Sequence, residues 1–345
     1  MPHHAKHAES AGVLRAAALA HPNIALIKYW GKRDAALNLP VVGSLSITLD
    51  RLWTRTSVQF VPGQDGDRVQ LNGRQDAATT ARLSKFLDLM RQRAGVDWGA
   101  QVESHNNFPT AAGLASSASG FAALALAAGA ALDLALSESE LSELARRGSG
   151  SAARSIFGGF VEWRHGERAD GADSIAHRLH GVEHWPLRVV VAVTSTASKA
   201  VGSSEGMQRT ALTSPYQSAW IGSQEADLAC ARAAIEMRDF DALADVSEHS
   251  CLKMHALAMA AQPGLLYWNG ATIEAMHTVR SLRAQGVPVF FTVDAGPQVK
   301  AICLPQAAST VIEAMRSVAG VLDVIECGLG QDACLIEDHS GAASA

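Results

Sequence analysis

The sequence predicts an α+β fold in two parts, and three observations carry that expectation. Strand-like and helix-like runs follow one another without strict strand–helix–strand alternation, which argues against a doubly wound parallel sheet. At 345 residues the chain is long enough for two domains of ~100–200 residues each. Its 48% hydrophobic and 18% charged residues supply material for a sizeable core and exclude disorder as the dominant state.

The elements follow in order. Residues 1–14 are polar, carry His3, His4 and His7, and read as a flexible tail in which nothing would hold a metal ion. The stretch A-G-V-L-R-A-A-A-L-A at 11–20 ends like an export signal, but Arg15 interrupts its apolar core and a strand pattern follows at once. Strands are expected over Leu19–Trp30, Leu45–Leu49, Thr56–Phe60 and Arg68–Leu71, and Asn72-Gly73 reads as a tight hairpin turn. Leu83, Phe86, Leu87 and Met90 recur at helical spacing within 77–94, and a strand around Gln101–Ser104 follows. Phe121–Leu134 is rich in alanine and leucine and apolar nearly all round, as a buried helix is. Ser137 and Glu140 form a capping box for a helix over Glu138–Arg147.

Phe160–Trp163 and the valine-rich Leu187–Val193 read as strands, and the domain boundary is set just beyond: 15–194, then 195–345. The second half predicts helices over 217–237, 240–259, 270–285 and 305–318, with strands at Val287–Val293 and Ala333–Ile336.

Composition excludes several functions. Twenty-nine basic against thirty-four acidic residues, a net charge of −5, argues against general nucleic-acid binding while leaving room for a local basic pocket. The five cysteines lie in the second half without any C-x-x-C pair, as small buried thiols in a reducing cytoplasm would. No run approaches the ~20 apolar residues that span a bilayer, so no membrane partner is expected.

Four segments carry candidate chemistry. Asn106–Gly120 (N-N-F-P-T-A-A-G-L-A-S-S-A-S-G) sets small residues and serines ahead of a helix, where backbone N–H groups can approach an anion. It lacks the G-K-[ST] of a Walker A loop. His21–Asp34 (H-P-N-I-A-L-I-K-Y-W-G-K-R-D) places Lys28 inside an apolar strand, where an ammonium must find a partner or a ligand. Gly148–Ser155 (G-S-G-S-A-A-R-S) offers backbone donors, hydroxyls and Arg154, a bidentate clamp for carboxylate or phosphate. Asp294 ends an apolar strand before Gly296-Pro297, a place for a base, a cation partner or a turn cap.

These segments, with L-N-G-R at 71–74 and G-S-S-E-G-M-Q-R-T at 202–210, resemble in sequence and order the mevalonate diphosphate decarboxylase family of the GHMP kinase superfamily. The resemblance spans roughly residues 18–336. It implies an S5-like N-terminal domain and a ferredoxin-like C-terminal domain, both α+β, with the active site in the cleft between them. It also implies ATP- and Mg²⁺-dependent decarboxylation of a phosphorylated mevalonate, carried out by a cytoplasmic homodimer.

Carried over by position, Asp294 would orient or deprotonate the substrate's tertiary hydroxyl, Lys28 would keep Asp294 ionised, and Arg154 would hold the substrate carboxylate. Tyr29, Lys32, Ser149, Ser151 and Ser204 would bind the diphosphate end. Pro109, Ala112, Gly113, Leu114, Ala115, Ser116 and Ser117 would cradle the ATP phosphates, with Asn23 in support and Asn72 near the nucleoside. No metal motif is present; Mg²⁺ would travel on the ATP phosphates, with Ser116 or Ser117 as a candidate ligand.

Three departures bear on the substrate. Val42-Gly43 stands where relatives read Asn-Ser, Gln298 follows D-A-G-P in place of Asn, and Glu205 adds a negative charge near the expected phosphates. A Glu205 facing the pocket would favour a 5-monophosphate; one facing solvent would change nothing. The alternatives are a decarboxylase of the monophosphate, a kinase that does not decarboxylate, and a non-catalytic nucleotide sensor.

Overall fold

Leu14–Ala20 mixes partly exposed and buried positions, as a strand with one covered face does, and forms β1. The computed structural model describes residues 14–108 and 116–337. After β1 come β2 (Asn23–Ile27), the short pair β3 (Lys32–Asp34) and β4 (Leu39–Pro40), β5 (Ser44–Thr48), β6 (Thr54–Val61) and β7 (Arg68–Leu71). They are followed by α1 (Ala77–Ala94), β8 (Gly99–Asn106), α2 (Ser116–Ala131), α3 (Glu138–Gly148) and a 3-10 segment over Gly150–Ile156. Next are β9 (Phe160–Trp163), β10 (Ala176–His180), β11 (Arg188–Val193), α4 (Ser203–Thr213), α5 (Gln217–Met237), α6 (Phe240–Met259) and α7 (Gly270–Ala284). The chain continues through β12 (Val289–Val293), β13 (Val299–Cys303), α8 (Ala308–Ser317), β14 (Asp323–Cys327) and β15 (Cys334–Ile336).

Among the described residues these strands make three larger sheets, ordered β15-β1-β6-β8-β7, β10-β9-β5-β2 and β12-β13-β11-β14. α2 packs across β1 and β6 with alanines and leucines that are almost entirely buried. The second sheet and α5 share one apolar cluster with a face of the third, and α7 and α8 cover the other face. The α+β expectation holds.

Several expected elements are modified. The single strand over Leu19–Trp30 breaks at His21-Pro22, and its halves join different sheets. Asn72 and Gly73 do make a tight turn, with φ of +50° and +73°. It is not a hairpin, because β7 runs parallel to β8 and the turn leads into α1. The 305–318 helix divides into a 3-10 turn begun by Pro305 and α8. α4, β10, β13 and β14 were not anticipated: each is short, and polar residues interrupt the apolar pattern.

The expected division after residue 194 falls beyond β11, yet both neighbours of β11 come from the second half. At the other end β15 pairs with β1, so the last strand belongs to the first sheet. Of the cysteines, all free, Cys251, Cys303 and Cys327 are buried as expected, whereas Cys230 and Cys334 are exposed. Among the described residues no helix is long and apolar enough to cross a membrane. The tail expectation for residues 1–13 falls outside the described residues, while Leu14 already belongs to β1.

Candidate active site

Asp294 directly follows β12, and residues 294–298 return the chain into β13. Lys28 directly follows β2, whose end is held by two helices. Ser250 of α6 accepts the Lys28 backbone N–H at 3.0 Å, and Gln224 of α5 donates to its carbonyl at 2.7 Å. Lys28 Nζ thereby lies 2.6 Å from Asp294 Oδ1, and Lys300 Nζ of β13 lies 3.1 Å from Oδ2. The lysine side chains are 1% and 2% exposed and the carboxylate 26%. Burial by itself raises the Asp294 pKa, but Lys28 and Lys300 outweigh it and hold the carboxyl well below the usual carboxylate range.

Arg154, in the 3-10 segment, is buried. Its Nε and Nη2 donate to Asn23 Oδ1 at 3.0 and 2.8 Å, and its Nη1 donates to Ser44 Oγ at 2.5 Å. Asn23 in turn donates to the Ser151 carbonyl at 3.0 Å and to Ser155 Oγ at 2.8 Å. These bonds occupy three of the five guanidinium N–H groups and leave donors for a ligand. Burial lowers the Arg154 pKa to about 10, with Asp294 opposing, so the group stays charged at neutral pH.

The Tyr29 hydroxyl is buried without a hydrogen-bond partner among the described residues, and burial raises its pKa, leaving a neutral donor. Gly150 is needed beside it, since a Cβ there would lie 2.7 Å from Oη. Lys32 Nζ donates to Asn38 Oδ1 at 2.7 Å and to Ser204 Oγ at 3.0 Å. Ser149 Oγ donates to Ser117 Oγ at 3.3 Å, at the first turn of α2.

Asp294, Lys28, Arg154, Asn23, Tyr29, Lys32, Asn38, Ser204, Ser149 and Ser117 line one cleft of about 720 Å³, with Ser116 and Ser151 also in its wall, whereas Lys300, Ser44, Ser155, Gln224 and Ser250 support it from behind. Asn72 is not in the wall; it is exposed, and its Oδ1 accepts the Asn106 N–H at 2.8 Å, bracing the turn. Its neighbours Leu71, Ser104 and Asn106 line the cleft instead. Pro109, Ala112, Gly113, Leu114 and Ala115 lie outside the described residues.

Three cations were missed by the sequence reading. Arg82 of α1 sits 4.7 Å over the Phe121 ring and donates to the Gly148 carbonyl at 3.3 Å. Lys199 Nζ donates to Ser203 Oγ at 2.8 Å and to the Ala295 carbonyl at 3.1 Å. Lys300 interrupts the apolar run V-K-A-I-C just as Lys28 interrupts its own strand, so the signal was present. Arg82 and Lys199 had no comparable signal, because a cation on a helix or in a polar loop is ordinary. Among the described residues the wall carries Lys28, Lys32, Arg82, Arg154 and Lys199 against Asp294 and Glu205, a charge balance suited to a polyanion.

Comparison with known proteins decides the family. The model of the diphosphomevalonate decarboxylase-like N-terminal domain matches residues 20–176, and that of the mevalonate 5-diphosphate decarboxylase C-terminal domain matches 189–335. The chain belongs to the diphosphomevalonate decarboxylase family. It is 41% identical to the diphosphomevalonate decarboxylase of Ganoderma lucidum over 308 residues, 83% of this chain and 77% of that one. It is similar to the mevalonate diphosphate decarboxylase of Staphylococcus aureus, with TM-score 0.89 and 40% identity over 94% of this chain and 99% of that one. It is also similar to MDDEF solved in complex with MVAPP, AMPPCP and magnesium, with TM-score 0.88 and 41% identity over 95% and 100% of the two chains.

Within the diphosphomevalonate decarboxylase family, two of the three departures have packing reasons here. A Cβ on Gly43 would lie 2.9 Å from Leu228 Cδ1 and 3.2 Å from the Trp163 carbonyl, so a serine would not fit without movement. Gln298 accepts the Thr194 N–H at 2.6 Å and donates to the Ser195 carbonyl at 2.5 Å, tying the Asp294 turn to the end of β11. The third, Glu205, is 60% exposed at the rim, and its carboxylate accepts from Arg209 at 2.7 Å.

Beneath the site, His255 Nε2 lies 3.2 Å from the Val293 carbonyl, and burial lowers its pKa to about 3. Because the unfolded chain binds this proton near pH 6.5 and the folded chain does not, stability falls as pH drops below 6.5. Between pH 6.5 and 5 the expected loss from this group is about 2 kcal/mol, at ~1.4 kcal/mol per pH unit. Urea unfolding at both pH values measures it, and His255→Gln should lessen the difference.

Proposed function

We propose that this chain catalyses the ATP-dependent decarboxylation of mevalonate 5-diphosphate to isopentenyl diphosphate, with release of ADP, phosphate and CO₂. The observation that carries the reading is the meeting of Lys28, Asp294 and Arg154 in one cationic cleft. A simple kinase has no need of a carboxylate clamp. Asp294 accepts a hydrogen bond from the tertiary hydroxyl and aims its oxygen at the γ-phosphorus. Once that oxygen is phosphorylated, the C–O bond breaks and its electron pair leaves with phosphate. The C–C bond to the carboxylate then breaks, and its pair forms the double bond as CO₂ departs.

Arg154 holds that carboxylate until it leaves, and its own bonds to Asn23 and Ser44 keep it aligned. Tyr29, Lys32, Ser149, Ser151 and Ser204 take the diphosphate end, and Arg82, bonded to the Gly148 carbonyl, adds a charge beside them. The N-terminus of α2, a helix of 16 residues, receives the nucleotide phosphates.

Magnesium, when bound, neutralises charge on the transferring phosphoryl group. Among the described residues no group of three His, Cys, Asp or Glu side chains could hold it. The Ser116 and Ser117 hydroxyls in the cleft wall are hard oxygen donors that fit it beside the phosphate oxygens. Family resemblance supports a homodimer, and the five free thiols suit a reducing, cytoplasmic compartment.

The exposed, Arg209-bound position of Glu205 favours the diphosphate over the monophosphate, since a paired rim carboxylate repels little. Glu205→Gln is therefore expected to change kcat/KM for mevalonate 5-diphosphate by less than about threefold, consistent with the small worth of exposed ion pairs. The test of the whole reading gives purified protein Mg-ATP with mevalonate, its 5-phosphate or its 5-diphosphate, and follows ADP and CO₂ together. One-to-one release with the diphosphate alone is expected. ADP without CO₂ would mean a kinase and would remove the role of Arg154 first.

A further inference from the structure

Lys300 is an unusual residue for its place. β13 is an inner strand, flanked by β11 and β12, and Lys300 faces Thr292 and Val191 across those two ladders. Its neighbours Val299, Ala301, Ile302 and Cys303 are fully buried, and an ammonium in such surroundings persists only when an opposite charge compensates its lost hydration. The carboxylate it meets already receives, at its other oxygen, Lys28 from the segment that directly follows β2.

We infer that Lys300 is a positioning residue for the phosphoryl-transfer step, completing a two-lysine clamp that fixes both oxygens of Asp294 and makes it an orienting acceptor. This deepens the reading of the site given above and rests on it. One ammonium on one oxygen leaves a carboxylate free to turn about its last bond. Two ammonium groups from separate segments of the chain, one on each oxygen, remove that freedom and aim the remaining lone pairs into the cleft.

The clamp also sets the order of events. A carboxylate so stabilised is a poor base toward an alcohol, so the hydroxyl keeps its proton while its oxygen attacks. The O–P bond forms, the bond between the γ-phosphorus and the bridging oxygen breaks with its pair leaving on ADP, and the proton passes to Asp294 as the oxygen becomes acidic. The charged and titratable groups around Asp294 are Lys28 just after β2, Lys300 of β13, Lys199 ahead of α4, Arg154 of the 3-10 segment, and Cys251 and His255 of α6. Burial raises the Cys251 pKa and lowers that of His255, so both are neutral near pH 7.

The test compares Lys300→Met, which keeps the length of the side chain without its charge, with the unaltered protein. At pH 8 kcat is expected to fall at least tenfold, while KM for mevalonate 5-diphosphate moves less than threefold. The ratio of variant to unaltered kcat should then fall a further threefold or more between pH 8 and 5, as Asp294 becomes able to protonate. Ionisations of the substrate are common to both proteins and cancel in that ratio. If Lys300→Met does not melt cooperatively, Lys300→Gln, with a donor but no charge, takes its place in the same comparison.

An unchanged kcat, or a reduced kcat whose ratio is flat with pH, overturns the clamp. If the unaltered protein releases no CO₂ from the diphosphate, the proposed function fails. In that case ¹³C shifts of the Asp294 carboxyl, titrated from pH 8 to 5 in both proteins, decide the clamp separately. It stands if only the variant titrates and falls if both behave alike.

Discussion

Asp294→Asn is expected to lower kcat by about three orders of magnitude, within the ~10²–10⁴ range for a positioned group that handles a proton. The amide keeps the shape and a carbonyl oxygen, but it carries no charge and is a weak acceptor. Lys28 at 2.6 Å and Lys300 at 3.1 Å would then face a neutral group, with both ammonium groups still buried. Breaking a buried pair on one side costs about 3–5 kcal/mol, so the variant should also melt earlier. Mg-ATP affinity, followed by fluorescence or calorimetry, should stay within a few-fold, because the site proposed for the nucleotide phosphates is the N-terminus of α2 and not Asp294. Near-normal turnover would sink the assignment of Asp294; lost turnover with intact nucleotide binding would also dispose of the sensor alternative.

Arg154→Lys is expected to reduce kcat/KM for mevalonate 5-diphosphate by about 10²–10³, equivalent to the ~2–5 kcal/mol at stake when a buried charged donor loses its partner geometry. Charge is preserved, so the loss would come from shape. One guanidinium here meets Asn23 Oδ1 through Nε and Nη2, meets Ser44 Oγ through Nη1, and still has N–H groups left to offer a carboxylate. A lysine ammonium has three donors on a flexible stem and cannot serve all of these directions. Steady-state kinetics check the loss, and a variant within threefold of the unaltered kcat/KM would contradict the clamp.

Much of this site was legible in the sequence because its residues announce themselves locally. Lys28 breaks an apolar strand, Asp294 stands at a strand end before Gly-Pro, and Arg154 follows a Gly-Ser-Gly-Ser run. Two positions escape such local signals for one kind of cause. Asn72 is expected near the nucleoside, but only its backbone neighbours reach the cleft wall, and its side chain braces β8. Arg82 lies on an amphipathic helix, where an arginine reads as solvated; the Phe121 ring beneath it turns it toward the cleft.

The sequence by itself determined the α+β class, most of the long helices, the family, and the residue types at the chemical centre. Those depend on hydrophobic period, capping and short motifs, all of which act over a few neighbours. Only the tertiary structure decided that β15 completes the first sheet and that β11 belongs with the strands of the second half. It alone brought Lys300 to Asp294 as well. Strand pairing and ion pairing between distant segments are settled by which buried charges and edges can be satisfied at once, and that condition exists only when the whole chain is packed.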